Sequence, residues 1–268
     1  MFLFDSKIPG SLNRQLFGLN FPHPVGIAPG ADPNGTKYNS FRNCSFVEIG
    51  PLKPIPASSP TGPAPFFASS GKNREVGALK ASILHIQNHQ PRHLLAANIA
   101  PLPTHSDCES VTRDLLEAFT YIYDFADLFV IDTFSKNKDG VAPLQSVEYL
   151  SESMDALIDM RFCYEKYKPI LIRVTSDIQQ GSLAGLLDYM MYSGLDGIIA
   201  GKDVYPIDLV RRIGYFTGGR LPVIACGGID TREKADELLE TGVDLLQVEK
   251  KYARTILNHL IDIRSAKE

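Results

Sequence analysis

Eight short β-rich runs, separated by amphipathic stretches, constrain this chain more than anything else in it. They are Val25–Ala28, Ser45–Ile49, Leu94–Asn98, Asp127–Ile131, Pro169–Arg173, Asp196–Ala200, Leu221–Ala225 and Asp244–Val248. Most are almost continuously apolar, the pattern of parallel strands covered on both faces. Between them, apolar residues recur at helical spacing. Val111, Leu115, Phe119 and Ile122 form one stripe, Val147, Leu150, Met154, Leu157 and Phe162 a second, and Leu183, Leu186 and Met190 a third. Asp230 followed by Glu233 reads as a helix N-cap with a capping-box partner. Eight strands alternating with helices in 268 residues is the arithmetic of an α/β fold of the (β/α)8 TIM-barrel type. A doubly wound sheet is the alternative, but it would have many strands to arrange. No linker or composition shift divides the chain, so residues 1–268 are expected to form a single domain.

Composition narrows the class of function. Hydrophobic residues make up 44% of the chain, enough for a folded core. The net charge of −4 lacks the basic footprint expected of a nucleic-acid binder. No apolar run approaches the roughly 20 residues of a transmembrane helix, and the first residues do not read as a secretory signal. Cys44, Cys108, Cys163 and Cys226 are scattered, which points to a reducing cytoplasm rather than a disulfide framework. His85 and His89 share a helical face, but no accompanying ligand completes a metal pattern, so no metal is expected. Residues 51–75 carry six prolines and read as a stiff loop, either passive or lining the catalytic face.

In a barrel of this type, function sits at the C-terminal ends of the strands. Those ends carry Gly30 and Asp32, Gly50, Asn98, Asp132 with Ser135 and Asn137, Arg173, Lys202 with Asp203, Gly227 with Gly228, and Glu249 with Lys250 and Lys251. Gly227-Gly228 leads into a helix, and Lys250 lies at the neighbouring strand end, an arrangement suited to phosphate. Asn98 and Arg173 are costly inside apolar strands unless they are paired. They fit either a buried polar network or an organic cofactor with hydrogen-bonding edges.

The segment Phe17-Gly-Leu-Asn-Phe-Pro-His-Pro-Val-Gly-Ile-Ala-Pro-Gly30 resembles the opening of the dihydroorotate dehydrogenases, FMN-dependent barrels of pyrimidine biosynthesis. The similarity continues through Phe46–Pro54, Ala97-Asn98-Ile99, Lys168-Pro169-Ile170 and Gly227–Asp230, colinear from about residue 17 to 260. The proline-rich stretch after Gly50 is most similar to the membrane-associated, quinone-using class. That class has an N-terminal helical extension; too few residues precede the first strand here to build one, which leaves the electron acceptor open.

The resemblance implies an oxidoreductase that takes dihydroorotate, or a related anion, to orotate by base-assisted hydride transfer to FMN, and it admits a homodimer. It makes Ser135 the base and Asn137 a substrate ligand. It places Ala28, Gly30, Asn98 and Asp132 along the flavin, and Gly227, Gly228 and Lys250 at its phosphate. Arg173 takes the position of the lysine at the flavin pyrimidine edge. Several positions depart from the family pattern: Asp132 and Lys136 in the Ser135 loop, Pro33 for a carboxylate-binding lysine, Leu79 for an asparagine, Gly201-Lys202 for a Thr-Asn pair, and Glu249-Lys250 for an aromatic residue and Ser or Thr. Lys202, Lys53 or Arg74 would then have to supply the substrate cation. The alternatives are a diverged barrel enzyme for a phosphorylated metabolite without flavin, using Asp32 or Asp132 as base, or a noncatalytic binding protein.

Overall fold

Alternation in Arg14-Gln-Leu-Phe-Gly-Leu-Asn-Phe21 starts the chain as a small hairpin that the helix–strand period does not announce. In the computed structural model, which describes residues 8–54, 78–133, 140, 142, 144 and 147–266, β1 (Arg14–Leu16) pairs antiparallel with β2 (Leu19–Phe21). The turn between them, Phe17-Gly18, has φ of 57° and 76°, the left-handed pair that a two-residue hairpin turn requires.

The eight sequence runs become eight parallel strands: β3 (Val25–Asp32), β4 (Phe46–Leu52), β5 (Leu94–Ile99), β6 (Leu128–Asp132), β7 (Ile170–Val174), β8 (Gly197–Ala200), β9 (Val223–Cys226) and β10 (Leu245–Val248). They close in sequence order, with β10 pairing back onto β3. Around them lie α1 (Ala78–Asn88), α2 (Cys108–Ile122), α3 (Val147–Arg161), α4 (Gln180–Ser193), α5 (Ile207–Thr217), α6 (Arg232–Glu240) and α7 (Lys250–Ser265). The fold is a (β/α)8 barrel. The β3–β4 connection carries a 3-10 turn, Tyr38–Ser40, in place of a helix.

Two cores result from the double-faced strands. Outward side chains such as Ile27, Val47, Leu95, Ile131 and Ile172 meet the helices, including the α2 stripe of Val111, Leu115, Phe119 and Ile122. Inward side chains at the strand starts (Phe46, Leu128, Leu245) pack on Leu16, Phe17, Leu19 and Phe21 of the hairpin. Phe21 meets Phe46 edge to face at 5.6 Å. The hairpin therefore stoppers the end of the barrel where the strands begin.

Three of the runs open on aspartate for one shared reason. Asp127, Asp196 and Asp244 each turn a carboxylate oxygen to the first free N–H of the preceding strand: Leu95 at 2.8 Å, Ile170 at 2.8 Å and Val223 at 2.9 Å. Donors that would be buried without a partner are thereby satisfied.

Two sequence expectations need correction. The α6 cap is Thr231, which accepts from the Lys234 N–H, while Asp230 one residue earlier pairs with the Lys234 ammonium at 2.7 Å. The second stripe stops short: α3 ends at Arg161, which turns back to Asp196 (2.8 Å) and the Gly194 carbonyl (3.0 Å). Phe162, past that end, is 73% exposed.

His23, between the hairpin and β3, is buried and accepts the Val25 N–H on Nδ1. Burial, with His93 nearby, lowers its pKa from 6.5 to about 4. In that interval the unfolded chain binds a proton that the folded chain refuses, so stability is complete above the unfolded pKa and falls as the solution is acidified. The loss should reach about 3 kcal/mol. Urea melts of His23→Gln should show a lower starting stability and a shallower acid slope; an unchanged slope would exclude His23 as its source.

Candidate functional site

Period-two geometry along β4 puts Phe46, Glu48 and Gly50 on the inner face, and the same rule turns Asn98, Arg173, Cys226 and Gln247 inward. Glu48, Arg173 and Gln247 have no exposed surface, and Asn98 is 1% exposed. Four charged or amide side chains in that space need partners, and they supply one another. Arg173 gives Nη1 to Glu48 Oε1 at 2.6 Å and Nη2 to Glu48 Oε2. Asn98 Nδ2 donates to Glu48 Oε1 at 2.9 Å, and Gln247 Nε2 donates to Glu48 Oε2 at 2.6 Å. Gln247 Oε1 in turn accepts from Arg173 Nη2 at 3.0 Å. Each oxygen of Glu48 thus receives two donors.

Burial opposes the Arg173 charge, and the facing Glu48 carboxylate outweighs it, so the guanidinium pKa is raised above its ordinary value. Burial pushes the neighbouring Cys226 thiol up to about 12, although Arg173 acts the other way. A thiol so buried stays protonated at neutral pH, which disfavours a nucleophilic role. Two polar atoms of the cluster are buried without a hydrogen-bond partner among the described residues: Asn98 Oδ1, an acceptor, and Arg173 Nε, a donor. Buried polar atoms left unpaired are costly, so the network is one acceptor and one donor short of satisfying itself.

Several strand ends carry glycine: Gly30 on β3, Gly50 on β4, Gly201 after β8, and Gly227 with Gly228 after β9, all at positive φ. Gly30 looks onto open space, since a Cβ there would meet nothing within 4 Å. Gly227 is different: a Cβ would lie 2.4 Å from the Lys202 carbonyl oxygen. That glycine serves the close approach of the β8 and β9 loops, whatever it also offers to an anion. Lys234 Nζ links the Gly228 carbonyl to Asp230, and its hydrogen bond holds the Asp230 carboxyl below the ordinary range.

The remaining predicted residues divide. Asp132 ends β6 beside Arg173 and is 3.5 Å from Lys202 Nζ. Ala28 lies on β3 within the inner core. Lys250 starts α7 with its ammonium over the Phe41 ring at 5.2 Å, and Lys251 pairs with Glu249 at 3.1 Å. Asp32 is fully buried and accepts the Thr36 and Lys37 N–H groups at 2.9 and 2.7 Å, so its oxygens hold the β3 loop. Leu79, at the expected asparagine position, is 1% exposed in the outer core. Ser135, Lys136 and Asn137, Arg74, and the proline-rich stretch from residue 55 onward lie outside the described residues.

Glu48 and Gln247 were not singled out from sequence. The signal was present: each is a polar residue at an inward position of an otherwise apolar strand, sharing its face with Phe46 or Leu245.

A closed (β/α)8 barrel with a polar cluster and glycine-rich strand ends at one mouth defines the class. No protein-family model matches the chain. The particular proteins it is similar to are dihydroorotate dehydrogenases. It is 24% identical over 277 residues to a dihydroorotate dehydrogenase (quinone) of Haemophilus influenzae (strain 86-028NP), covering 90% of this chain and 81% of that one. The relative of the same name from Cellvibrio japonicus is 26% identical, with 92% and 82% covered. Among solved structures, DHODH from Eimeria tenella in complex with ferulenol superposes with a TM-score of 0.78 at 20% identity, over 100% of this chain and 88% of that one. The resemblance read from the sequence is thus shared with curated relatives over nine tenths of the chain, and the barrel with a solved one. Among the described residues, no helix is long and apolar enough to cross a membrane.

Proposed function

We propose that the chain is an FMN-dependent oxidoreductase that oxidises dihydroorotate, or a closely related anion, in pyrimidine biosynthesis. The observation that carries this is the likeness to dihydroorotate dehydrogenases over nine tenths of the chain, and the inward-facing polar cluster with its unpartnered Asn98 Oδ1 and Arg173 Nε supports it. An acceptor and a donor fixed on one rigid cluster match a planar heterocycle with both N–H and carbonyl or ring-nitrogen edges. The open surface at Gly30 leaves room for such a ring against bare backbone.

The residues that would hold FMN are Ala28 and Gly30 along its ring, Asn98 and Arg173 at its polar edge with Asp132 beside them, and Gly227, Gly228 and Lys250 toward its phosphate. FMN, when bound, supplies the hydride acceptor. Ser135 takes the substrate proton in this reading, and Asn137 binds the ring. Lys202, partly exposed beside Asp132, is the cation we assign to a substrate carboxylate. A serine needs help to act as a base, and Asp132, three residues earlier in the sequence, is the carboxylate this reading assigns to relay the proton. Pro33 and Leu79 support the wider wording, a related anion, because neither offers a donor where the family has one.

The test is a visible spectrum of the purified protein before and after addition of FMN and removal of the excess. The expected result is retained flavin absorbance that dihydroorotate bleaches without oxygen. A protein still colourless after reconstitution would overturn the reading.

A further inference from the structure

We propose that Glu48 is the positioning residue of this site: it cancels the charge of Arg173 and fixes the polarity of Asn98 and Gln247 beneath the mouth, so that a flavin bound there is harder to reduce than above a bare cation. The inference rests on the flavin reading and goes beyond it, because Glu48 acts through its neighbours.

The geometry leaves little freedom. Arg173 presents a planar fork, and Glu48 meets both of its terminal nitrogens, a two-point contact that a lysine at this position could not make. Both N–H groups of Nη2 and one of Nη1 are thereby used, and Nε is the guanidinium nitrogen with no partner among the described residues. Both amides are oriented by the same carboxylate. Because Asn98 must give its Nδ2 to Glu48, its oxygen is the atom left over; because Gln247 gives its Nε2, its own oxygen is turned to Arg173. One carboxylate therefore sets which ends of three side chains point where.

The charge consequence follows directly. Arg173 and Glu48 are both wholly buried and together carry no net charge. Adding electrons to a flavin raises its negative charge, and a bare buried guanidinium below would favour that state strongly in a low-dielectric interior. With Glu48 paired to the same guanidinium, its field opposes that of Arg173. A buried ion pair is also a poor device for stability alone, since apolar residues of like volume do as well.

The test uses the full chain loaded with FMN and a reference-dye titration of its midpoint potential. Glu48→Gln removes the anion and keeps the shape. It should shift the balance toward reduced flavin by roughly tenfold or more, about 30 mV upward for two electrons. Glu48→Asp keeps the anion on a shorter stem and should stay within roughly twofold of the parent, a result that loss of packing alone would not give. Should Glu48→Gln fail to fold, Glu48→Met decides by the same upward shift. An unshifted or lowered potential in the neutral variant, or a Glu48→Asp protein displaced as far as it, overturns the proposal while the flavin reading stands. A parent protein that takes up no FMN overturns both.

Discussion

Arg173→Met should lower the unfolding free energy by roughly 3–5 kcal/mol, because it leaves the Glu48 carboxylate buried with only two amide donors. The loss belongs to the stranded charge and not to the missing contact, and a second variant separates the two. Glu48→Leu combined with Arg173→Met removes both ions and fills their space with apolar groups. It should regain more than half of the single variant's loss. Urea denaturation of the two single variants, the double variant and the parent gives the coupling energy directly. If the double variant loses as much as the two singles added together, the pair is not energetically coupled and the cluster has been misread.

Gly227→Ala should be nearly as damaging, for a steric reason. The residue sits at φ 96°, where an L side chain is strained, and the added Cβ would lie 2.4 Å from the Lys202 oxygen and 2.8 Å from the Asp203 nitrogen. Both neighbours are backbone and cannot rotate away. Left-handed strain alone costs about 1–2 kcal/mol, and displacing the 202–203 segment adds to it. The total expected is roughly 3 kcal/mol or more, within the range of severe single substitutions. On the proposed reading FMN uptake should fall as well, because Gly227 and Gly228 are assigned to its phosphate. Gly214→Ala, within α5 and with nothing within 4 Å of the new Cβ, is the control. It should be neutral or stabilising by up to about 1 kcal/mol. Equal melting curves for the parent and Gly227→Ala would contradict the contact.

The barrel was legible because its strands are apolar on both faces, so a plain run of Val, Ile and Leu marks each one without any pairing information. The hairpin was not, since Arg14–Phe21 is short and its role is set by the barrel bottom that it fills. The α6 cap slipped by one residue because Asp230 and Thr231 are both good caps, and Lys234 draws Asp230 aside. Phe162 continued a helical stripe in sequence, but Arg161 ends the helix by reaching for Asp196.

At the site, Asn98 and Arg173 stood out as polar residues in apolar strands, and they proved to share one cluster. Their common partner did not stand out: Glu48 reads as an interruption of Phe-Val-Glu-Ile until strand parity turns it inward. The alternatives weighed for these two residues, a self-contained network or a ligand edge, are not exclusive in the fold. The network exists, and it still leaves one donor and one acceptor over.

The stopper formed by Phe17, Phe21 and their neighbours has a consequence for traffic. Aromatic rings wedged among the first inward side chains leave no approach from that side, so a small molecule meets this barrel at the opposite rim, where Asp132 and Lys202 stand.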